Sequence, residues 1–455
     1  MKENILKQGR ISKLFIKFSV PAIIAMVIAG MQTVIDGLFL GNFIGSNAMA
    51  SVSLGGPYIQ FVIGFSMLIS VGSLSFMGRS LGEGNKKLTQ DIFKTSFILL
   101  SLGAIFFSFI GIVFSKNIGL ALGANDILID DVSKYIKVIS ICILPMCLAF
   151  LIGFADRLVE KPDLYFKGMI VSLIVNITLN YILIKKLQLG IFGAALATGI
   201  SYSSVFIVVV PPMLKKENVI NLFVGKFNKD TIIPVIYNGS SEAMSALATV
   251  VSAYLFNNAF MKIAGESGVA AFTSINYISQ FGMLTVFGIA DGITSIISYN
   301  YGANQFDRVK SILKLSIVVS FIVCTTTFIV LFFFSDNLIT MFIGSDKFVV
   351  DLAVIGSKLY AFSFIFNGFS IICSSYFTAI GYAKESIIIA LSRGLVFIVI
   401  GISILPKFLG INGIWLTVPF AEVLTCIVSF YLMNKYKLPS TNTSIGELEY
   451  ANTKQ

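Results

Sequence analysis

The 455-residue chain contains no histidine, and that absence removes much of the usual chemical repertoire. Without imidazole there is no Ser-His or Cys-His nucleophilic pair, no histidine metal ligand and no histidine proton relay, so any proton handling falls to carboxylates. Cysteine is scarce as well: Cys142, Cys147, Cys324, Cys373 and Cys426 all lie inside apolar runs and form no CxxC pair. A cysteine in such surroundings behaves as a small hydrophobe and not as a disulfide partner. Charged residues make up only 12% of the chain against 56% hydrophobic ones, with a mean hydropathy of +0.89, which excludes a string of soluble domains. The net charge of +10 would suit nucleic acid. The lysines and arginines, however, sit in short segments between apolar runs, where they read as topology signals. No basic stripe interleaved with aromatics is left for RNA or DNA. The glycine-rich GRSLGEGNKK is no phosphate loop either, since it lacks the GK[ST] ending that would set a lysine on a nucleotide.

What the chain has in abundance is apolar runs of spanning length. They fall at about 14–40, 53–77, 93–115, 134–155, 167–184 and 191–213, then at 231–256, 272–299, 311–335, 353–380, 386–405 and 411–434. These predict an all-α, polytopic membrane protein of twelve transmembrane helices. The first run follows a basic N-terminus but is too long for the apolar part of a signal peptide, so it reads as a retained first helix. Starting from a cytoplasmic N-terminus, most Lys and Arg fall on the inner side, which puts both termini in the cytoplasm and the chain in the cell (plasma or inner) membrane. Lys185 and Lys186 are the one outward pair that this topology leaves awkward.

The chain also repeats itself. LGIFG at 189–193 returns as LGING at 409–413, and the same offset of 220 pairs Gln60-Phe61 with Gln280-Phe281, Gly72 with Gly292, Ser75 with Ser295 and Gly82 with Gly302. An ordered set of matches at one period marks a duplication. Each half holds six predicted spans, and an even number makes both halves enter from the same side. The result is a parallel repeat about an axis along the membrane normal, with its site expected near mid-membrane between the halves. The expected organisation is an N-lobe at 1–213, a basic cytoplasmic linker at 214–230, a C-lobe at 231–434 and a cytoplasmic tail at 435–455.

Acids inside spans are the candidates for function. Asp36 stands far inside the first run, where a carboxylate costs about 2.5 to 3.5 kcal/mol at a helix centre and therefore reads by default as an ion or substrate site. The alternative is an interfacial carboxyl, or one merely hydrogen-bonded to a neighbouring helix. Glu242 lies two turns beyond Pro234 among small polar residues, NGSSEAMSA. Asp291 and Glu422 are weaker secondary candidates. Basic groups near span ends are expected to snorkel, with Arg393, about two turns in, as the partial exception. A net acidic interior favours cationic cargo. Asn176 and Asn180, at i and i+4, share a helical face, and Thr198 follows in LGIFGAALATGIS. With a carboxylate nearby they suit Na⁺ coordination or a proton relay, or else ordinary interhelical bonding. Pro21 and Pro234 are candidate hinges, because a proline inside a span breaks a backbone hydrogen bond.

The pattern of Pro21, Gln32, Asp36, Gly37 and Gly41, the GRSLGEGN and SYNYGAN segments at matching places in the halves, and LGIFGAALAT together resemble the multidrug and toxic compound extrusion (MATE) transporters. NGSSEAM with SYNYGAN resembles the MepA-type multidrug export branch. The resemblance covers about residues 10–435 and rests on the ensemble of motifs. It implies two pseudo-symmetric six-helix bundles around a V-shaped cavity. It also implies secondary active antiport of cationic, amphipathic drug-like molecules for H⁺ or Na⁺, in a protein that is not an enzyme, carries no cofactor beyond the coupling ion and works as a monomer in the lipid bilayer. Carried over, the coupling or Na⁺ site falls on Asp36, Asn176, Asn180 and Thr198, with Gln32 as a secondary candidate. The counter-charge for substrate falls on Glu242 and Asp36, with Asn367 a further candidate. Relatives often carry an aspartate where Asn180 stands, and some an acid near Asn367, so the missing carboxylates favour H⁺ over Na⁺. The rivals are a lipid-linked oligosaccharide flippase, which should line its cavity with Arg and Lys, and an integral-membrane enzyme.

Overall fold

The computed structural model describes residues 5–343 and 347–438; residues 439–455 of the expected tail lie outside the described residues. Its helices are α1 (Ile11–Phe43), α2 (Ser46–Gly82), α3 (Lys86–Val113), α4 (Ile129–Ile141 with Ile143–Leu158), α5 (Asp163–Lys186) and α6 (Gly190–Val209). The linker follows, and then α7 (232–264), α8 (266–302), α9 (Phe306–Phe333), α10 (Lys347–Ala361 with Ser363–Ile380), α11 (Ala383–Leu409) and α12 (Ile411–Lys435). Among the described residues, ten helices are individually long and apolar enough to span a bilayer, and α4, bent by 50° between its halves, makes an eleventh. The twelfth comes from dividing the continuous Ile232–Gly302 run at Gly265, whose φ of 62° and ψ of −151° no helical residue adopts. The stretch between the apolar runs ending near 256 and starting near 272 is helical too, up to the single glycine that turns the chain.

The duplication is visible in atomic contacts. A Cβ on Gly82 would run into the Tyr299 carbonyl, and a Cβ on Gly302 would run into the Arg79 carbonyl. Residues 79 and 299, like 82 and 302, are 220 apart, so the pseudo-twofold axis passes between α2 and α8. The same relation holds further along, where Gly72 closes on Val235 and Gly239 of α7 and Gly292 closes on Phe18 and Ser19 of α1. Small residues at these positions let backbones approach as they do wherever membrane helices associate by packing alone. The protein is thus two pseudo-symmetric six-helix bundles that share one large cluster of buried apolar side chains, with a smaller cluster confined to each.

Among the described residues, the hydrogen bonds between the bundles lie toward the end carrying the N-terminus. Arg79 Nη1 donates to the Ala379 carbonyl at 3.0 Å and Ser75 Oγ to the Thr378 carbonyl at 2.6 Å, both across the divide. Arg308 Nη2 reaches the Gly9 carbonyl at 2.8 Å. Toward the opposite end the facing walls part, leaving Gln60 and Thr249 exposed. The linker is pinned along α3, where Gln90 and Lys94 donate to the carbonyls of Val219 and Leu222 and Asp91 accepts from the Lys226 amide.

Candidate functional site

Asp36 is the centre of the first site. Four turns of α1 beyond the tight crossing with α8, its carboxylate meets α5 and α6. Oδ1 accepts from Asn176 Nδ2 at 2.9 Å and from Asn180 Nδ2 at 2.7 Å, and Oδ2 accepts from Thr198 Oγ1 at 3.0 Å. Asn180 Nδ2 also reaches Asn176 Oδ1 at 3.2 Å. The i, i+4 amides do share one face, and it is the face turned to the acid. α5 changes to a π-helical winding from Asn180 to Lys186, and such single wide turns gather at functional positions. Tyr135 and Tyr202 stand within electrostatic reach of the same carboxylate. Gln32, one turn earlier and buried, lies on the same side of α1 but donates to Ser172 Oγ at 2.9 Å and not to Asp36. No ion pair to Asp36 exists among the described residues, so three neutral donors hold its carboxyl with no side-chain cation beside it.

The second site is the cavity between the lobes, about 310 Å³, lined by α1, α2, α7, α8, α10 and α11. That volume is at the lower end of the ~300–1,000 Å³ usual for small-molecule sites. Its charged lining is Glu242, Asp291 and Arg393, set among Met26, Met67 and Phe287. Asp291 is spoken for: Arg157 Nη2 sits 3.0 Å from its Oδ2, and Arg157 Nη1 donates to its backbone carbonyl at 2.8 Å. Sequence reasoning missed Arg157. As a basic residue at the end of a span it was expected to snorkel, whereas it is 2% exposed, lies 4.6 Å over the Phe154 ring and joins the two lobes. The one available signal was an Asp-Arg pair in the otherwise apolar LIGFADRL.

Glu422 and Asn367 are brought together, though away from Glu242. Asn367 Nδ2 donates to Glu422 Oε1 at 2.7 Å, with Arg393 Nε 4.0 Å from the same oxygen. Of the hinge candidates, Pro21 does stand inside α1. Pro234 instead occupies the third position of α7, in the first turn, where its missing N–H has no intrahelical partner to lose. It starts the helix and does not bend it, which corrects the expectation.

Comparison with known proteins bears on the family and the fold. The MatE family model matches residues 21–182 and 243–402, one stretch in each lobe. "Multidrug export protein MepA" of Staphylococcus aureus (strain bovine RF122 / ET3-1) is 25% identical over 435 residues, covering 94% of both chains. A solved structure described as the outward-facing conformation of a multidrug resistance MATE family transporter of the MOP superfamily superimposes with a TM-score of 0.90 at 20% identity, over 96% of this chain and 98% of the other. A MOP superfamily transporter from Pyrococcus furiosus Vc1, for which a reversed binding-pocket polarity is said to suggest a different function, superimposes with a TM-score of 0.89 at 20% identity and the same coverage. A lobed fold of twelve spans, a family model that fits each half and relatives matched nearly end to end lead to one conclusion: this chain belongs to the MatE family of multi-pass membrane transporters and is not an enzyme.

Proposed function

We propose that this transporter is a multidrug exporter that carries cationic, amphipathic molecules out of the cell in exchange for H⁺. The observation that carries the reading is Asp36: a carboxylate within the span, fully hydrogen-bonded by Asn176, Asn180 and Thr198, yet without a cation of its own. Neutral donors orient a charge but do not cancel it, and an uncancelled charge inside a bilayer is expensive. A cation entering from the open end neutralises it and removes that penalty, so closing the lobes around it becomes cheaper. H⁺ suits the set better than Na⁺, because a hard metal cation wants several oxygen ligands and here both amides present nitrogen to the single carboxylate. Glu242 supplies the counter-charge for cargo, since Asp291 is held by Arg157.

This reading places the closed end and both termini in the cytoplasm, in the cell membrane, with residues 1–213 and 231–434 as the moving lobes of a monomer, joined by 214–230. The fold alone does not fix the cargo, since the P. furiosus transporter of the same fold has a binding pocket said to be of reversed polarity. A flippase for lipid-linked oligosaccharide would need an Arg- and Lys-lined cavity, and one arginine facing two acids argues against it. The test is dye efflux in proteoliposomes under separate H⁺ and Na⁺ gradients. The wild type should export a cationic dye on the H⁺ gradient and Asp36→Asn should not; equal export by the two overturns the reading.

A further inference from the structure

The C-terminal lobe contains a buried acid that the exchange at Asp36 leaves without a task. Glu422 is 3% exposed on α12, and its Oε2 has no hydrogen-bond partner. Its Oε1 takes the Asn367 amide at 2.7 Å and lies 4.0 Å from Arg393 Nε, too far for a hydrogen bond. The arginine therefore compensates the acid without being locked to it. On its other side Arg393 borders the cavity, its guanidinium 5.4 Å over the Phe287 ring, and it feels the charge of Glu242 across that space. One guanidinium thus stands between a sealed carboxylate and an accessible one.

The backbone at that point is unusual. Ser392–Val396 winds as a π-helix in the middle of α11. The only other π-helical segment among the described residues begins at Asn180, a donor to Asp36, in the corresponding helix of the first lobe. A π-turn shifts the register of the residues it carries and is found frequently at functional sites. At the offset of 220, Glu422 falls on Tyr202, a neighbour of Asp36, and Arg393 falls beside the equivalent of Ser172. The two acids thus lie near equivalent places in the repeat, although their ligands come from different helices.

We propose that Glu422 is a second proton-responsive carboxylate, and that its neutralisation passes Arg393 to Glu242, so that proton uptake in the C-terminal lobe displaces a cationic cargo from its counter-charge. The proton adds to the unpartnered Oε2, and no covalent bond breaks. Arg393 is left beside a neutral acid and pairs with the remaining free carboxylate on the cavity wall; loss of the proton reverses the exchange. The other groups facing Glu422 are Tyr360 from α10, Cys324 from α9 and Cys426 on its own helix, all neutral. Glu242 faces Arg393 and Asp291, the latter held by Arg157. Glu422 acts through Arg393 and is a positioning residue, and the proposal rests on the reading that cargo is cationic.

The test is equilibrium binding of tetraphenylphosphonium, a permanent cation with no titratable group, to the purified full chain at mildly alkaline pH. Glu422→Gln, fixed in the neutral form, should bind about tenfold more weakly than wild type, the size expected when a cation joins a partly screened site. Adding Arg393→Gln should return binding to within about twofold of wild type, which a merely structural defect at Glu422 would not allow. Wild-type affinity in Glu422→Gln, or no recovery in the double variant, overturns the proposal and leaves the cationic-cargo reading intact. Failure of the wild type to bind the probe overturns that reading, and this proposal with it.

Discussion

Arg157 and Asp291, 134 residues apart in the chain, are joined twice in space: a guanidinium on α4 holds both the carboxylate and the main-chain carbonyl of one residue on α8. The contact crosses from lobe to lobe next to the tight α2–α8 interface, at the closed end of the molecule. Breaking a buried pair by removing one partner leaves an uncompensated charge, at a cost of about 3–5 kcal/mol. Here that cost falls on the closed arrangement, because separated lobes would hydrate the arginine. Asp291→Asn should therefore favour the alternate, oppositely open arrangement. A cysteine placed at Ser295, fully buried near the latch, in a variant otherwise free of cysteine, reports it: maleimide labelling should speed up by tenfold or more over the same probe with Asp291 intact. Unchanged labelling would show that the latch does not hold the lobes together.

Asn180 decides how many charges the first site contains. Asn180→Leu removes the shortest of the three bonds to Asp36, and a hydrogen bond to a charged group is worth about 1.5–3 kcal/mol. Proton-driven efflux should fall by about ten- to a hundredfold. Asn180→Asp does something different. Two carboxylates sharing a site cannot both stay ionised unless a cation lies between them, so this variant should gain efflux on a Na⁺ gradient alone, which the H⁺ reading denies to the wild type. Na⁺-driven efflux already present in the wild type would contradict the H⁺ reading.

Gly82 and Gly302 should behave as twins. Each meets the other helix's backbone, which cannot rotate out of the way as a side chain can. Gly82→Ala and Gly302→Ala should each lower thermal stability in detergent by a similar amount, about 1–3 kcal/mol for an overpacked contact. Gly56→Ala, in open space on the same α2, should be neutral or slightly stabilising, since alanine is the better helix former. Unequal losses at the twins would mean that the symmetry does not extend to the packing.

The parts of this architecture that could be read in the sequence share a physical reason. Spans declare themselves by length and hydropathy, and the duplication by its period. The Asp36 cluster shows because an acid in an apolar run is conspicuous and amides four apart must share a helical face. What stayed hidden depends on partners from remote segments. Arg157 looked like a residue at a membrane edge until α8 supplied Asp291. Glu422 and Asn367 are isolated letters until α10 and α12 pack. The π-turns leave no mark in hydropathy at all, and Pro234 was read as a hinge although the predicted run already put it in a first turn, where a proline starts a helix and does not bend it.

Pro21 and Pro234 give the sharpest contrast between what an interior proline and a terminal one do. Pro21 cannot donate to the carbonyl of Lys17, and an interior proline of this kind disfavours a straight helix by about 3 kcal/mol. The backbone on either side, at Ser19 and Ile23, is pressed against Gly292 and Gly288 of α8, so the first turns of α1 are anchored while the part carrying Asp36 runs on for about 22 Å at 1.5 Å per residue. On the proposed reading, a bend at Pro21 is the lever that would translate occupancy of Asp36 into the shape of the cavity wall at Met26. Pro21→Ala restores the missing bond and stiffens the lever. Thermal stability should hold or rise, while efflux falls by tenfold or more with the cationic probe still bound. Pro234→Ala, changed in a first turn where no bond was missing, should keep efflux within about twofold of wild type. Equal efflux by the two variants would place the bending of α1 outside the transport cycle.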